Sequence, residues 1–324
     1  MECDKLKAEV MKMKGYCGTY TTGRGEGIYT FELDEKTGQL SNLVCFAKVQ
    51  SAKTIAVEGE YIFSVFENAE GAGVCVLDRS GKILDSLVIE KSTSCHIAIK
   101  DNHIFTANYH EGLFSVCKWQ DEKLTLAFQD KVQEKAGCHQ VMFVEDMILV
   151  PCLFLDQIVV YDNQFKQMAR IETPKGVGPR NGVYNDKTKE LMVLCELSNE
   201  LLFYHFENGH FIYDKKSTIL ENDETFFMQS SALRMNHDRT LFFAGTRGKD
   251  QISVVDCKGE IKQIVSTQGK HPREFVLSPN GRFLIVANKD SDTLVSFPLN
   301  EKIEEACSTL DVFEPVSIAW EKSR

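Results

Sequence analysis

Four side chains of this 324-residue chain stand at one recurring position and belong to types that move protons or hold anions: His96, His139, Arg180 and Arg273. An imidazole serves as acid or base near neutral pH. A guanidinium offers paired N–H donors to a carboxylate, a phosphate or a developing oxyanion. A second recurring position, just after a strand-like run, reads Glu67, Tyr109, Cys152, Glu196, Arg247 and Lys289, and the residue before it reads Phe66, Asn108, Pro151, Cys195, Thr246 and Asn288. A purely structural repeat keeps one residue in each copy. Columns this varied and ionisable point to a shared site, because unpaired buried charge is expensive and convergent charge needs a reason. Cys95-His96 and Cys138-His139 contain zinc-ligand types, but neighbours along a strand face opposite sides, so neither pair can offer both side chains to one ion; two histidines with Glu196 remain an alternative metal set, ranked below an organic-anion site, and no metal is expected. The glycine-rich GRGEG at 23–27 lies between two strand-like runs with no helix after it, which makes it a hairpin and not a phosphate loop. Ser230-Ser231 has no nucleophile-elbow context.

The elements that position these residues follow from the repeat. A polar signature, a strand, a turn, a strand, a second turn and another strand recur through the chain. Aligned on the second residue of the signature, the anchors are Thr54, His96, His139, Arg180, Ser231, Arg273 and Val316, spaced 42, 43, 41, 51, 42 and 43 residues apart. The long interval implies an insertion of roughly nine residues between His205 and Gln229. A period near 42 with several strands per copy predicts an all-β, seven-bladed β-propeller. RFLIVANK alternates between faces and is rich in β-branched residues, and Asn280-Gly281 and Arg79-Ser80-Gly81 supply hairpin turns. The last copy, EPVSIAW, holds one strand only. The strands it lacks are at the other end of the chain, in KGYCGTY, GIYTFELD and QLSNLVCFAKV, so the last blade is expected to close from N- and C-terminal strands and leave no open sheet edge. This predicts one domain over 15–324 after an N-terminal tail, 1–14. The innermost strands line a central channel, and the anchor column rings it.

Composition sets the class of partner. Lysine and arginine number 37 against 47 aspartate and glutamate, a net charge of −10. That excludes nucleic acid or an anionic membrane surface as the main partner while allowing a local basic pocket. No run approaches the roughly 18 apolar residues of a membrane span. The N-terminus MECDKLKAEVMKMK has no apolar core of a secretory signal, so a cytoplasmic location is expected. The 11 cysteines are scattered, and most fall in apolar runs, as reduced buried thiols do.

The pieces GTYTTGRGEGIYTFELDEKTGQL, CHIAIKDNHIFTANYHEG, GCHQVMF, GVGPRNGVYNDKTKELMVLCELSNELLFY and GKHPREFVLSPNGRFLIVANKDSDTLVSF resemble the seven-bladed β-propeller lactonases, which include bacterial 6-phosphogluconolactonase and fungal carboxymuconate cyclase. The likeness runs from about Gly15 to near the C-terminus, and its GPR…ELSN and HPR…VANKDSD stretches are specific. It implies an active site at one end of the channel. The implied catalytic residues are His139 of GCHQV, Arg180 of GPR, Glu196 of CELSN and Arg273 of HPREF, with His96, Asn108 and Tyr109 as substrate-binding neighbours. Three departures bear on the substrate and not on the fold: Asn181 follows GPR where the family often has His, blade three has Pro151-Cys152 for Pro-Asp, and blade one lacks an Asn-Pro start.

The implied reaction is hydrolysis of a small anionic lactone, 6-phospho-D-glucono-1,5-lactone of the oxidative pentose phosphate pathway, with no cofactor. Either Glu196 or His139 acts as general base, while Arg180 and Arg273 stabilise the oxyanion and the substrate's anionic group. Two alternatives stand beside it: a carboxymuconate-type cycloisomerase using the same arginines, and a non-catalytic propeller scaffold. The sequence leaves the oligomeric state open.

Overall fold

The computed structural model describes residues 12–221 and 229–321, and these form seven four-stranded antiparallel sheets. Six blades run in chain order from the axis outward. The first is Ile55–Glu58, Tyr61–Asn68, Gly71–Leu77 and Ile83–Glu90, and the fourth is Pro179–Asn185, Glu190–Cys195, Glu200–Glu207 and His210–Thr218. The seventh takes its inner strand, Pro315–Trp320, from the C-terminus and its other three, Lys12–Thr19, Gly27–Asp34 and Leu40–Lys48, from the N-terminus. The closing register sets Gly15 opposite Trp320 and Cys17 opposite Ile318. The predicted all-β, seven-bladed ring and its split closure are the observed architecture. The first strand starts at Lys12, three residues ahead of the expected boundary at Gly15, and residues 1–11 of the expected tail lie outside the described residues. Of the expected insertion, the outer strand His210–Thr218 is described and residues 222–228 are not.

Apolar residues recur with the repeat because each sheet must bury both faces against its neighbours. Seven buried clusters result, and each joins two adjacent blades. Phe105 and Phe114 of blade two meet Tyr161 of blade three, with Phe114 and Tyr161 centroids 4.7 Å apart. Cys17 and Phe31 of blade seven meet Phe283 and Ile285 of blade six. A fully buried Leu, Ile or Phe contributes about 1.5–3 kcal/mol. The apolar interfaces between blades therefore hold the ring.

Two inter-blade contacts bear directly on the channel. Gly182 N–H donates to Gln140 Oε1 at 2.6 Å, tying blade four to blade three one turn below Arg180 and His139. A Cβ at Gly182 would lie 2.6 Å from Met142 Sδ, so the blades approach this closely only over glycine. Gly178 has φ +66, a left-handed conformation that glycine adopts without strain, and turns the chain into Pro179-Arg180.

Candidate active site

The anchor residues reach the axis through a shared backbone irregularity. In blade four Pro179 pairs with Cys195 and Asn181 with Leu194, so Arg180 is the extra residue of a β-bulge. Blade six repeats this around Arg273, between the pairs Pro272–Asn288 and Glu274–Ala287. Blade seven repeats it around Val316, between Thr19–Pro315 and Gly18–Ser317. His139 follows the isolated Cys138–Cys152 bridge and precedes the regular pairing that starts at Met142–Leu149. A bulge kinks its strand and re-aims a side chain. Here it turns residues that would alternate between sheet faces toward the channel end.

The result is one cavity lined by Lys53, His96, His139, Arg180, Arg273 and their neighbours. It encloses about 50 Å³. That is room for one or two waters, so an organic substrate must sit at the mouth with one edge reaching in. Glu196 closes one side. Arg180 Nε–H donates to Glu196 Oε2 at 2.7 Å, and Arg247 Nη2–H donates to Oε1 at 2.9 Å. Arg180 also donates from Nη1 to Asn181 Oδ1 and to the Ser231 carbonyl, and Arg247 donates to the Ser230 carbonyl at 3.0 Å. Arg180, Glu196 and Arg247 are all more than nine-tenths buried.

These contacts set the protonation states. Burial alone would raise the Glu196 carboxyl, but Arg180 and Arg247 outweigh it and hold the group below the usual carboxylate range. Burial brings the Arg180 guanidinium down to about 9 against the pull of Glu196. His139 is pushed well below the ordinary imidazole value by burial, then by Arg180, Arg273 and Arg247. It is therefore neutral at pH 7, and its buried Nδ1 has no hydrogen-bond partner. His96 is lowered to about 3 by burial, Arg234 and Arg180, and its Nδ1 accepts the Val141 N–H at 3.3 Å, which leaves its proton on Nε2. Three arginines thus share one carboxylate, while Glu274, also on the wall, is answered by Arg234 at 2.6 Å. In a protein of net charge −10 this cavity is locally cationic.

The structure brings His96, His139, Arg180, Glu196 and Arg273 together. Tyr109 stands beside them, its ring 6.0 Å from His139 and 5.3 Å from Phe154, an exposed side chain on the rim. Asn108 is placed elsewhere. Its amide donates to Glu90 Oε2 at 2.8 Å and to the Ser92 carbonyl at 2.6 Å, and its oxygen accepts the N–H groups of His110 and Glu111. Those bonds engage the whole amide in the turn and make Asn108 a structural residue, not a substrate-binding one. Asn288 does similar work in blade six, donating to the Thr267 carbonyl. Arg247, not among the expected site residues, joins the cluster through Glu196. Its signal was its place in the column that also holds Glu196. Of the zinc-type pairs, Cys138 turns to Cys152, with sulfurs 3.6 Å apart, and Cys95 faces the carbonyls of Ala107, Cys138 and His139.

Comparison with known proteins places this geometry in context. Residues 14–320 match the family described as lactonase, 7-bladed beta-propeller. The chain is 30% identical to the 6-phosphogluconolactonase of Bacillus subtilis, over 95% of this chain and 98% of that protein. A protein from Lactobacillus plantarum superposes with a TM-score of 0.89 at 22% identity, covering 96% of this chain and all of that one. A periplasmic gluconolactonase from Pseudomonas aeruginosa superposes with a TM-score of 0.86 at 21% identity, covering 97% of this chain and all of that one.

Proposed function

The chain belongs to the seven-bladed β-propeller lactonase family, and from that premise we propose that it hydrolyses an anionic sugar lactone, with 6-phospho-D-glucono-1,5-lactone the first candidate. The observation that carries the reading is the cationic cavity itself: three arginines over one carboxylate, with a neutral, unpartnered histidine beside them.

Ring opening needs a proton taken from water, a stabilised oxyanion and a proton for the leaving ring oxygen. Glu196 is tied to two guanidinium groups and held ionised, so its lone pairs are engaged and it serves to position Arg180 and Arg247. His139 has no such partner. In this mechanism its neutral imidazole takes a proton from the attacking water as the new C–O bond forms. The carbonyl electrons move to oxygen and are met by Arg180, while Arg273 answers the substrate's anionic group. Collapse of the tetrahedral oxyanion breaks the ring C–O bond, and the His139 imidazolium returns the proton to the leaving alkoxide. An anionic substrate tunes the base as it binds. Its charge offsets the arginines that depress His139 and so raises the basicity of the imidazole.

The ten cysteines among the described residues are free. Reduced thiols suit a reducing compartment, and we place the protein in the cytoplasm, a reading that fractionation of native cells would check. The test of the function is turnover of 6-phosphogluconolactone above its spontaneous hydrolysis by purified protein with chelator present. The expected result is an acceleration lost in Arg273→Ala and in His139→Gln. No acceleration by folded wild-type protein would sink the proposal.

A further inference from the structure

The cations of the cavity fall into two groups. Arg180 and Arg247 are bound to Glu196 and to backbone carbonyls. Arg234, nearby, is bound to Glu274. Arg273 and Lys53 line the same cavity and have no ion-pair or hydrogen-bond partner among the described side chains. Lys53 comes from the segment that crosses from blade seven into blade one, next to Thr54 at the anchor position, and Arg273 comes from the bulge of blade six. Tyr20, Thr54 and Ser317 bring hydroxyls to the same cavity wall. Ser317 Oγ accepts the Ile55 N–H at 3.2 Å, which leaves its own O–H free to donate outward. Glu274, on this side, accepts at Oε1 from Arg234 and from the Phe275 N–H.

Proximity of the Lys53 ammonium to the cavity floor has a second sign. Burial raises the Cys95 thiol, and the cations that oppose this are Lys53 first, then Arg273 and Arg180. The Lys53 charge therefore bears on the same point as the two site arginines.

Two unpaired cations flanked by hydroxyl donors ask for a compact dianion. A phosphomonoester carries about −1.5 to −2 at pH 7 and presents three acceptor oxygens. A flexible ammonium engages such a group as a point charge, and a guanidinium engages it through two parallel donors. A single carboxylate would leave one cation unanswered. Resting on the lactonase reading, we propose that Lys53, with Arg273, forms the seat for the phosphate of a phosphorylated substrate, and that Lys53 is the residue that makes the site prefer the phosphorylated sugar to the unphosphorylated one.

The test compares wild type, Lys53→Met and Lys53→Arg in two measurements. The first is calorimetric binding of 6-phosphogluconate and of gluconate. The second is kcat/KM on 6-phosphoglucono-1,5-lactone and on glucono-1,5-lactone. Wild type is expected to favour the phosphorylated member of each pair. Lys53→Met is expected to lower that preference about ten- to hundredfold, through KM more than kcat, and Lys53→Arg to keep most of it. The denaturation midpoint of each variant, expected to match wild type, separates a folding defect from loss of the phosphate contact. The proposal is overturned if wild type shows no preference, or if Lys53→Met weakens both ligands alike or neither. The two readings fail separately. Folded wild type that turns over neither lactone but keeps a Lys53-dependent preference for 6-phosphogluconate sinks the lactonase and leaves the phosphate seat. Turnover of both lactones without preference does the reverse.

Discussion

The two walls of the cavity solve opposite problems. On the wall built by blades four and five, Arg180, Glu196 and Arg247 are almost fully buried and bonded to one another and to the Ser230 and Ser231 carbonyls. On the wall built by blades six, seven and one, Arg273 and Lys53 make no hydrogen bond or ion pair among the described residues, although the charges of Glu196 and Glu274 bear on Arg273. A buried charge without a partner is unstable, so the first wall is organised by the protein before any ligand arrives. The second wall is left to be neutralised by what binds. The difference separates charges that the protein itself pairs from charges that it leaves open, although Arg180 and Arg273 stand at the same repeat position.

The comparison predicts unequal consequences for stability. Glu196→Gln removes the counter-charge of two buried guanidiniums and is expected to cost about 3–5 kcal/mol, read as a lowered denaturant midpoint, together with activity. Arg273→Met should destabilise the fold far less, because it removes a cation that makes no hydrogen bond or ion pair among the described residues, yet it should lower kcat/KM for lactone hydrolysis about ten- to hundredfold through the lost contact to the substrate's anionic group. If both variants lose stability equally, the two-wall distinction is wrong. A smaller effect sharpens it: 6-phosphogluconate at a hundred times its Kd should stabilise wild type by about 2.7 kcal/mol, and Arg273→Met should lose most of that gain. The smallest is a pH effect. His96 and His139 have folded-state values below their unfolded one, so the unfolded chain binds more protons once the pH drops beneath about 6.5. Stability is complete above that value and is lost as the pH falls toward the folded values, about 3 for His96, by up to about 1.4 kcal/mol per pH unit for each histidine. His96→Gln should flatten urea-measured stability between pH 6.5 and 5, a window above the titration of Glu196, whose own value lies below the carboxylate range. An equally steep profile in that variant would assign the loss to other groups.

Much of the ring was legible because its causes are local and repeated. Each blade must bury two faces, so apolar alternation returns with the same period, and the single-strand remnant EPVSIAW had to find its partners at the N-terminus. The columns marked His139, Arg180, Glu196 and Arg273 before any geometry was known. Asn108 misled for a physical reason. A polar residue at a strand end looks the same in sequence whether it faces a ligand or ties down the next turn, and here Glu90, Ser92 and the following N–H groups engage it. Arg247 escaped because its role depends on Glu196, a residue 51 positions earlier in another blade.

Blades two and three show where the boundary lies. Both carry Cys-His at the anchor. The His96 ring meets the Val141 N–H, and the buried His139 Nδ1 meets nothing. By itself the sequence determined the all-β ring, its seven blades, their closure, and which side chains approach the axis, since these follow from short-range alternation and a fixed repeat length. Only the tertiary structure decided which charges are paired, which are left open and which histidine nitrogen lacks a hydrogen-bond partner. Those properties depend on burial and on distances of a few ångströms between blades, which are set when the ring closes.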